Sequence, residues 1–354
     1  MTPDRVLVDA KRTVADFHDA LDRSSTTDLA EVVAKHTVDD YRWRGVDPLG
    51  DHRGADAAVE AFHLPLRTAL SPLQRRTDVF CAGRNDVDGG ASVWVLSMGH
   101  LMGLFDRPWL DIPPTGRMAF LRFAEFNRVE AGRVAETALF CDVIGMMAQA
   151  GQYPLPPPTG AHFVYPGPRT NDGLLVDQQD PAEGQATMDL VNRMVGDLSD
   201  LNDVANATGD DTCPPEVLAR TWHDDMIWYG PTGIGATYTI DRYQAQHQYP
   251  FRLNLTAKGF NGHVARFAEG TYAGFFGWPN LTNTPTGGFL GLPGANTPAD
   301  MRVVDVYRRD GVRLAENWVF IDLIHWLSLQ GLDVLGRMRQ LLGIESIVPA
   351  PEAS

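Results

Sequence analysis

Apolar residues recur at helical spacing over residues 4–23, where Val6, Ala10, Val14, Phe17 and Leu21 share one face. A shorter helix over 28–35, capped by a Ser or Thr, follows. Asp40-Tyr-Arg-Trp43-Arg-Gly45 reads as a strand ending in a loop, and 55–70 as a third helix interrupted at Pro65. From Arg76 the spacing changes to alternation, which predicts strands over 77–82, 91–102, 118–128 and 134–141. Helices followed by a run of strands predict an α+β fold: three N-terminal helices packed on a strongly curved, mainly antiparallel sheet.

The same order then returns. A helix over 186–201 carries Met188, Val191, Met194 and Val195, a short helix covers 216–223, and strands follow at 253–260, 263–276, 301–307 and 314–321. A constant offset of 180 aligns Arg122 with Arg302, Arg128 with Arg308, Glu136 with Glu316, Phe140 with Phe320 and Asp142 with Asp322. An offset of 185 aligns Trp43 with Trp228 and Pro65 with Pro250. An ungapped match of this length is the mark of an internal repeat, and the unit is long enough to be a domain. The expected organisation is a first domain over 1–152, a Pro/Gly-rich arm and linker over 153–184, and a second domain over 185–345. The stretch 278–300 reads as a long loop, of the kind that forms lids.

Composition adds limits. The net charge of −15 argues against nucleic acid or an anionic membrane as a partner. No apolar run approaches the length of a membrane span. Met1 to Asp9 shows no leader-like apolar stretch, and Cys81, Cys141 and Cys213 are scattered without a CxxC, so a cytoplasmic setting is expected. There is no HExxH, no clustered Cys/His set, no Walker A sequence and no Gly-x-Ser-x-Gly elbow. Neither a metal nor an organic cofactor is expected.

In the last strand of each unit, alternation puts Glu136, Ala138, Phe140 and Asp142, or Glu316, Trp318, Phe320 and Asp322, on one face. On a concave, dry face, desolvation raises an Asp towards the range of a general base. Each Asp also sits where a strand gives way to an apolar run, the place of a helix N-cap. Both readings stand. His100 and Tyr272 fall on predicted inner strands, where either can polarise a carbonyl oxygen; a buried His satisfied by backbone is the other reading. Trp43 and Trp228 are core residues or pocket walls. His325, three residues after Asp322, either tunes it or packs on Trp326. Arg122 and Arg302 are expected to pair with Glu136 and Glu316 across the hairpin.

The stretch Ala315-Glu-Asn-Trp-Val-Phe-Ile-Asp-Leu-Ile-His-Trp-Leu-Ser-Leu-Gln-Gly331 resembles the SnoaL-like polyketide cyclases, of the nuclear transport factor 2-like, cone-shaped fold. Glu316, Trp318, Asp322 and Gln330-Gly331 fall on that family's pattern. Glu136, Asp142 and Gln149-Ala-Gly151 match in the first unit, where Ala138 replaces the Trp. The resemblance implies a cofactor-independent cyclase, isomerase or lyase acting on a small apolar carbonyl or polyketide-like compound. In it Asp142 and Asp322 inherit the role of base, and the enolate they form attacks a carbonyl of the same substrate. It implies that the helix broken at Pro65 or Pro250 lies over the cone mouth, bringing His63, His247 and Tyr249 to a ligand. One pocket would hold Trp43, His100, Trp109, Phe140 and Asp142, the other Trp228, Tyr272, Trp318, Phe320 and Asp322. Relatives pair through their sheets, so the two domains are expected to form an intrachain pseudo-dimer, with or without further homo-oligomerisation. An epoxide or alkene hydrolase and a non-catalytic binder of small molecules remain as alternatives.

Overall fold

The computed structural model describes residues 5–209 and 211–344, together forming an α+β protein. Met1–Asp4, part of the segment read for a leader and as the start of the first helix, lie outside the described residues, as do Asp210 and 345–354.

The first half opens with α1 (Arg5–Arg23), whose buried side chains Ala10, Val14, Phe17 and Leu21 are those of the sequence periodicity. Then come α2 (Leu29–His36), β1 (Thr37–Gly45), β2 (Gly50–Arg53), α3 (Ala55–Ala58) and α4 (Leu64–Ala69). The break at Pro65 is a π-helical turn, Val59–His63, not an interruption. A wider turn just before Pro65 lets the helix pass a residue that has no N–H to donate. Strands β3 (Gln74–Arg84), β4 (Val93–Leu104), β5 (Met118–Glu130) and β6 (Arg133–Cys141) complete a six-stranded sheet in the order β2-β1-β6-β5-β4-β3, and α5 (Val143–Gln149) closes the half.

The second half has α6 (Pro181–Thr208), α7 (Pro215–Leu218), β7 (Trp222–Tyr229), β8 (Ala236–Tyr238), α8 (Ile240–Tyr243), a second π turn at Gln244–Gln248, and α9 (Tyr249–Asn254). Its strands are β9 (Leu255–Phe260), β10 (Ala265–Glu269), β11 (Tyr272–Phe276), β12 (Leu281–Pro285), β13 (Ala299–Met301), β14 (Val303–Asp310) and β15 (Arg313–Ile321), followed by α10 (Leu323–Ser328) and α11 (Val334–Leu342). The main sheet runs β10-β11-β14-β15-β7-β8, the order of the first sheet, and β13-β12-β9 form a small separate sheet. In both halves the first strand lies parallel to the last, with Trp43 opposite Thr137 and Trp228 opposite Asn317.

Four expectations are corrected. The helix expected over 216–223 ends at Leu218, because Trp222 is already on β7. The strand expected over 263–276 is a hairpin, turned at Gly270 with φ 55°. The loop expected over 278–300 contains β12 and β13. Helix α6 begins at Pro181, ahead of the start expected at 186, with Asp180 accepting the Ala182 N–H at 3.0 Å.

The two sheets meet through their outer faces. Phe126 packs on Phe276 at 4.8 Å and on Phe267 at 6.0 Å, and Phe140 lies 6.0 Å from Phe276. The approach is close enough that a Cβ at Gly83 would stand 2.5 Å from Phe267 Cβ, which only glycine permits. Lys11 crosses the seam, buried, donating to Glu269 at 2.6 Å and to the Asp177 carbonyl at 2.8 Å. The Pro-rich arm is ordered against both halves. Ala161 pairs with Ala236 at the β8 edge, and Phe80 takes the Gly173 carbonyl at the β3 edge.

Candidate functional site

The two aspartates at the strand ends are helix caps at the seam. Asp142 Oδ1 accepts the Gly145 N–H at 2.8 Å, and Oδ2 accepts the N–H and Oγ1–H of Thr232, in the other half, at 2.9 and 2.8 Å. Asp322 Oδ1 accepts the His325 N–H at 3.2 Å, and Oδ2 accepts the Asp47 N–H from the opposite half at 3.0 Å. Asp47 and Thr232 are themselves 185 apart, so the two caps form a reciprocal clamp. Burial pushes Asp322 up to about 6 against the Asp47 amide and the Arg302 guanidinium, which lies 3.1 Å away. The space between the two caps is a crevice of about 20 Å³, room for about one water, which needs a cavity of roughly 10–15 Å³, and not for an organic substrate.

The face carrying Glu316, Trp318, Phe320 and Asp322 is thus the seam, not a concave interior. Trp318 stacks on Tyr229 at 5.4 Å and donates its indole N–H to the Pro166 carbonyl of the arm. Phe320 lies under the Arg122 guanidinium at 4.0 Å, and Phe140 meets Trp278 across the seam at 5.3 Å. Tyr272 donates to Asp172 of the arm at 2.6 Å. His100 places Nδ1 3.5 Å from Asp78 and shares with Arg122 and Asp142 the wall of a hollow of about 160 Å³. Trp109 is buried in the loop after β4, Tyr249 donates to the Cys213 carbonyl at 3.3 Å, and His325 is half-buried on α10. The expected Arg122–Glu136 and Arg302–Glu316 pairs do not form. The register sets Arg128 and Arg308 opposite those glutamates, and Arg122 donates to the carbonyls of Tyr229, Gly230 and Val319.

Of the expected site residues, Trp43, His63 and Trp228 lie on the other face, between sheet and helices. In the first half that interior is filled by a chain of polar contacts. Tyr41 donates to Thr137 at 2.7 Å, Thr137 to Asn127 at 2.6 Å, and Asn127 to Glu125 at 2.7 Å. His18 Nε2 meets Glu125 at 2.6 Å and Arg75 approaches it at 3.9 Å. Burial opposes the charge on Glu125, yet His18, Arg75 and Asn127 hold it well below the usual carboxylate range. His63 is buried there, with Nε2 unpartnered, and burial pushes it down to about 4. Trp43 stacks on Phe62 at 5.8 Å and closes the space.

In the second half the position of Glu125 is held by Asp305, at the offset of 180. Its neighbours differ. His18 falls at Leu198 by the same offset, and Arg75 at Phe260 by that of 185. Among the described residues, Asp305 accepts the Tyr307 hydroxyl at 3.1 Å and the Asn317 amide at 3.4 Å. Burial pushes it up to about 6, and those two donors hold it back from going higher. Around it stand Trp222, 5.9 Å from Tyr307; Phe275, 5.4 Å from Tyr307; and Tyr243, between Trp228 at 5.7 Å and His247 at 5.5 Å. His247 stacks on Trp228 at 3.9 Å, its Nδ1 is buried without a partner, and burial pushes it down to about 3, so it is neutral at pH 7. Asp305, Tyr243 and His247 are enclosed by protein, yet each keeps part of its surface accessible, where Glu125, Ala58 and Phe62 of the first half are buried.

The arrangement joins a carboxylate with a raised pKa, a neutral imidazole, two phenols and aromatic walls. That set can take a proton from a bound molecule and give a hydrogen bond to an oxygen of it. Asp305 was missed because only the last strand of each unit was weighed for acids; the recurrence of an acid at 125 and 305 was the available signal. Among the described residues no group of three or more His, Cys, Asp or Glu side chains is placed to hold a metal ion, and no helix is long and apolar enough to cross a membrane.

No protein-family model matches the chain, and no curated protein does. Among solved structures it is similar to a protein of Jannaschia sp. CCS1 assigned as a SnoaL-like polyketide cyclase, at 20% identity over 44% of this chain and 99% of that one, with a TM-score of 0.35. IdmH of Streptomyces antibioticus, assigned as a polyketide cyclase, matches at 16% identity over 41% and 99%, TM-score 0.32. An NTF2-like protein of Burkholderia xenovorans LB400 matches at 13% over 42% and 97%, TM-score 0.31. Likenesses at this level bear on neither substrate nor reaction.

Proposed function

We propose that this protein is a cofactor-independent acid–base enzyme for a small, flat, apolar carbonyl compound, working in the interior of the second half with Asp305 as general base. One observation carries the reading. Asp305 is an enclosed carboxylate among aromatic side chains, held by two neutral donors and, among the described residues, without an ion-pair partner. Such a group is ionised at pH 7 and keeps the basicity to accept a proton from a carbon next to a carbonyl. The electrons left behind move onto the carbonyl oxygen, where the neutral His247 N–H or the Tyr243 hydroxyl stabilises the enolate. Reprotonation elsewhere gives an isomerase, attack on a second carbonyl a cyclase, and loss of a leaving group a lyase.

The matching strand orders and offsets support a further part of the reading. The halves, over 1–152 and 185–345, are two copies of one cone-shaped unit, joined by the arm over 153–184 and paired as an intrachain pseudo-dimer. The filled first interior favours a scaffold role for that copy. The roles first given to Asp142 and Asp322 pass to Asp305, since both caps already accept amides across the seam.

The test is solvent deuterium incorporation into a panel of enolisable aryl ketones, followed by NMR. Asp305→Asn is expected to abolish protein-dependent incorporation while ligand binding persists. Protein-dependent incorporation that survives in Asp305→Asn removes Asp305 from the role of base, and absence of incorporation throughout the panel with binding intact turns the reading into that of a binder.

A further inference from the structure

The hollow of about 160 Å³ at the seam lies outside the Asp305 chamber, and no step above uses it. It is walled by His100 on β4, Phe120 and Arg122 on β5, Asp142, Thr232 of the other half, and the arm segment from His162 to Tyr165. In the second half the corresponding arginine, Arg302, closes on its own aspartate, Asp322, at 3.1 Å. In the first half Arg122 turns away to three backbone carbonyls, and among the described residues it meets no carboxylate at ion-pair distance. Its guanidinium lies over Tyr165 at 4.8 Å and over Phe320 at 4.0 Å. The space a salt bridge would close is left open.

Its chemistry is specific. Asp78 lies 3.5 Å from His100 Nδ1, and a carboxylate there favours the tautomer with the proton on Nδ1. The Nε2 lone pair is then the acceptor left to the imidazole, so His100 asks for a donor, not an acceptor. Asp142 is already engaged by three donors, both of those on Oδ2 from Thr232, which leaves at most one site on Oδ1. Arg122 stands near Asp142, and Asp78 lies by His100, so the walls do not favour a second anion. Gln149 is spent on the Phe120 backbone and His162 is an exposed arm residue; the other walls are flat or apolar, Phe120, Tyr165 and the exposed Phe163 and Val164. The volume equals that of about five waters, room for one ring and not for a fused system.

We propose that this hollow is a second small-molecule site, taking a single-ring phenol whose hydroxyl donates to His100 Nε2 and whose ring lies between Phe120 and the arm at Phe163–Val164. The buried Arg122 charge favours the partial negative charge that such a hydroxyl acquires. Because the walls come from both halves and from the arm, occupancy fastens the arm to the seam.

The experiment is equilibrium dialysis of the full chain with 4-methylphenol and with its methyl ether, 4-methylanisole, at about pH 8, where an ordinary phenol, with a pKa of about 10, keeps its proton. The phenol is expected to bind saturably, and the ether about tenfold more weakly, since it has no hydrogen to donate. His100→Phe removes the acceptor and is expected to abolish the preference for the phenol. Val164→Arg, at an exposed position of the arm, blocks the hollow without disturbing the core and is expected to weaken the binding of both compounds about tenfold or more. Asp305→Asn is expected to leave the binding unchanged. Equal binding of phenol and ether, unchanged binding in Val164→Arg, or loss in Asp305→Asn overturns the proposal; the last places the phenol in the other chamber.

Discussion

The two interiors start from the same frame and end with opposite chemistry. Each has an acid at the same place on its penultimate strand, Glu125 or Asp305. In the first half the acid is ringed by His18, Arg75 and Asn127 and is fully buried, so its charge is neutralised and the space is filled. In the second half Leu198 and Phe260 stand at the corresponding sequence positions, Phe260 exposed on β9; Arg266 faces the same side across Phe275, but among the described residues no ion pair to Asp305 forms, and the acid keeps open surface and a raised pKa. The comparison teaches that a buried carboxylate is structural or chemical according to its neighbours, not its position. A cation beside it turns it into a tie; an apolar wall beside it leaves it reactive.

The largest effect should follow from breaking the reactive member. Asp305→Asn should cut protein-dependent proton exchange by about 10²–10⁴-fold, the usual worth of a positioned base, read by deuterium incorporation. Glu125→Gln should leave exchange in place and instead destabilise the fold by about 3–5 kcal/mol, since it strands His18 and Arg75; urea titration reads this. The two acids should also respond to pH with opposite sign. Glu125, depressed in the folded state, contributes stability above the ordinary glutamate pKa, and that stability is lost as the pH falls. Asp305, raised from 3.8 to about 6, binds its proton more tightly when folded. It therefore stabilises at low pH, and this contribution disappears as the pH rises through that window. The Asp305 part is at most about 3 kcal/mol, less in practice because the group is partly accessible. Comparing Tm at pH 4 and pH 7 in wild type and Asp305→Asn isolates it, since Asp322 titrates in the same window in both. The smallest effect belongs to the seam. Thr232→Val removes one hydroxyl donor to Asp142 and should cost about 1 kcal/mol, with proton exchange unaltered.

Much of this arrangement can be read from the chain. The offsets of 180 and 185 foretell the matching strand orders, and the prolines at 65 and 250 mark the two helix breaks. What alternation does not supply is which face of a strand looks inward. A sheet covered on both sides is apolar on both, so Trp318 and Phe320 at the seam look no different from Trp228 in the interior. That ambiguity drew attention to Asp142 and Asp322, which are caps, and away from Asp305. The break between β10 and β11 was likewise hidden, because Gly270 sits inside a run that otherwise reads as continuous strand, and β12 and β13 were hidden among the prolines and glycines of 278–300.

The difference between the two interiors comes to a head in the protonation of one group. Asp-selective carboxyl ¹³C labelling, with Asp305→Asn used to assign the missing resonance, gives its titration curve in the folded protein. The account requires a midpoint near 6. A midpoint at or below the ordinary aspartate value would mean that Asp305 is solvated or ion-paired like Glu125, and the second interior would then be as inert as the first.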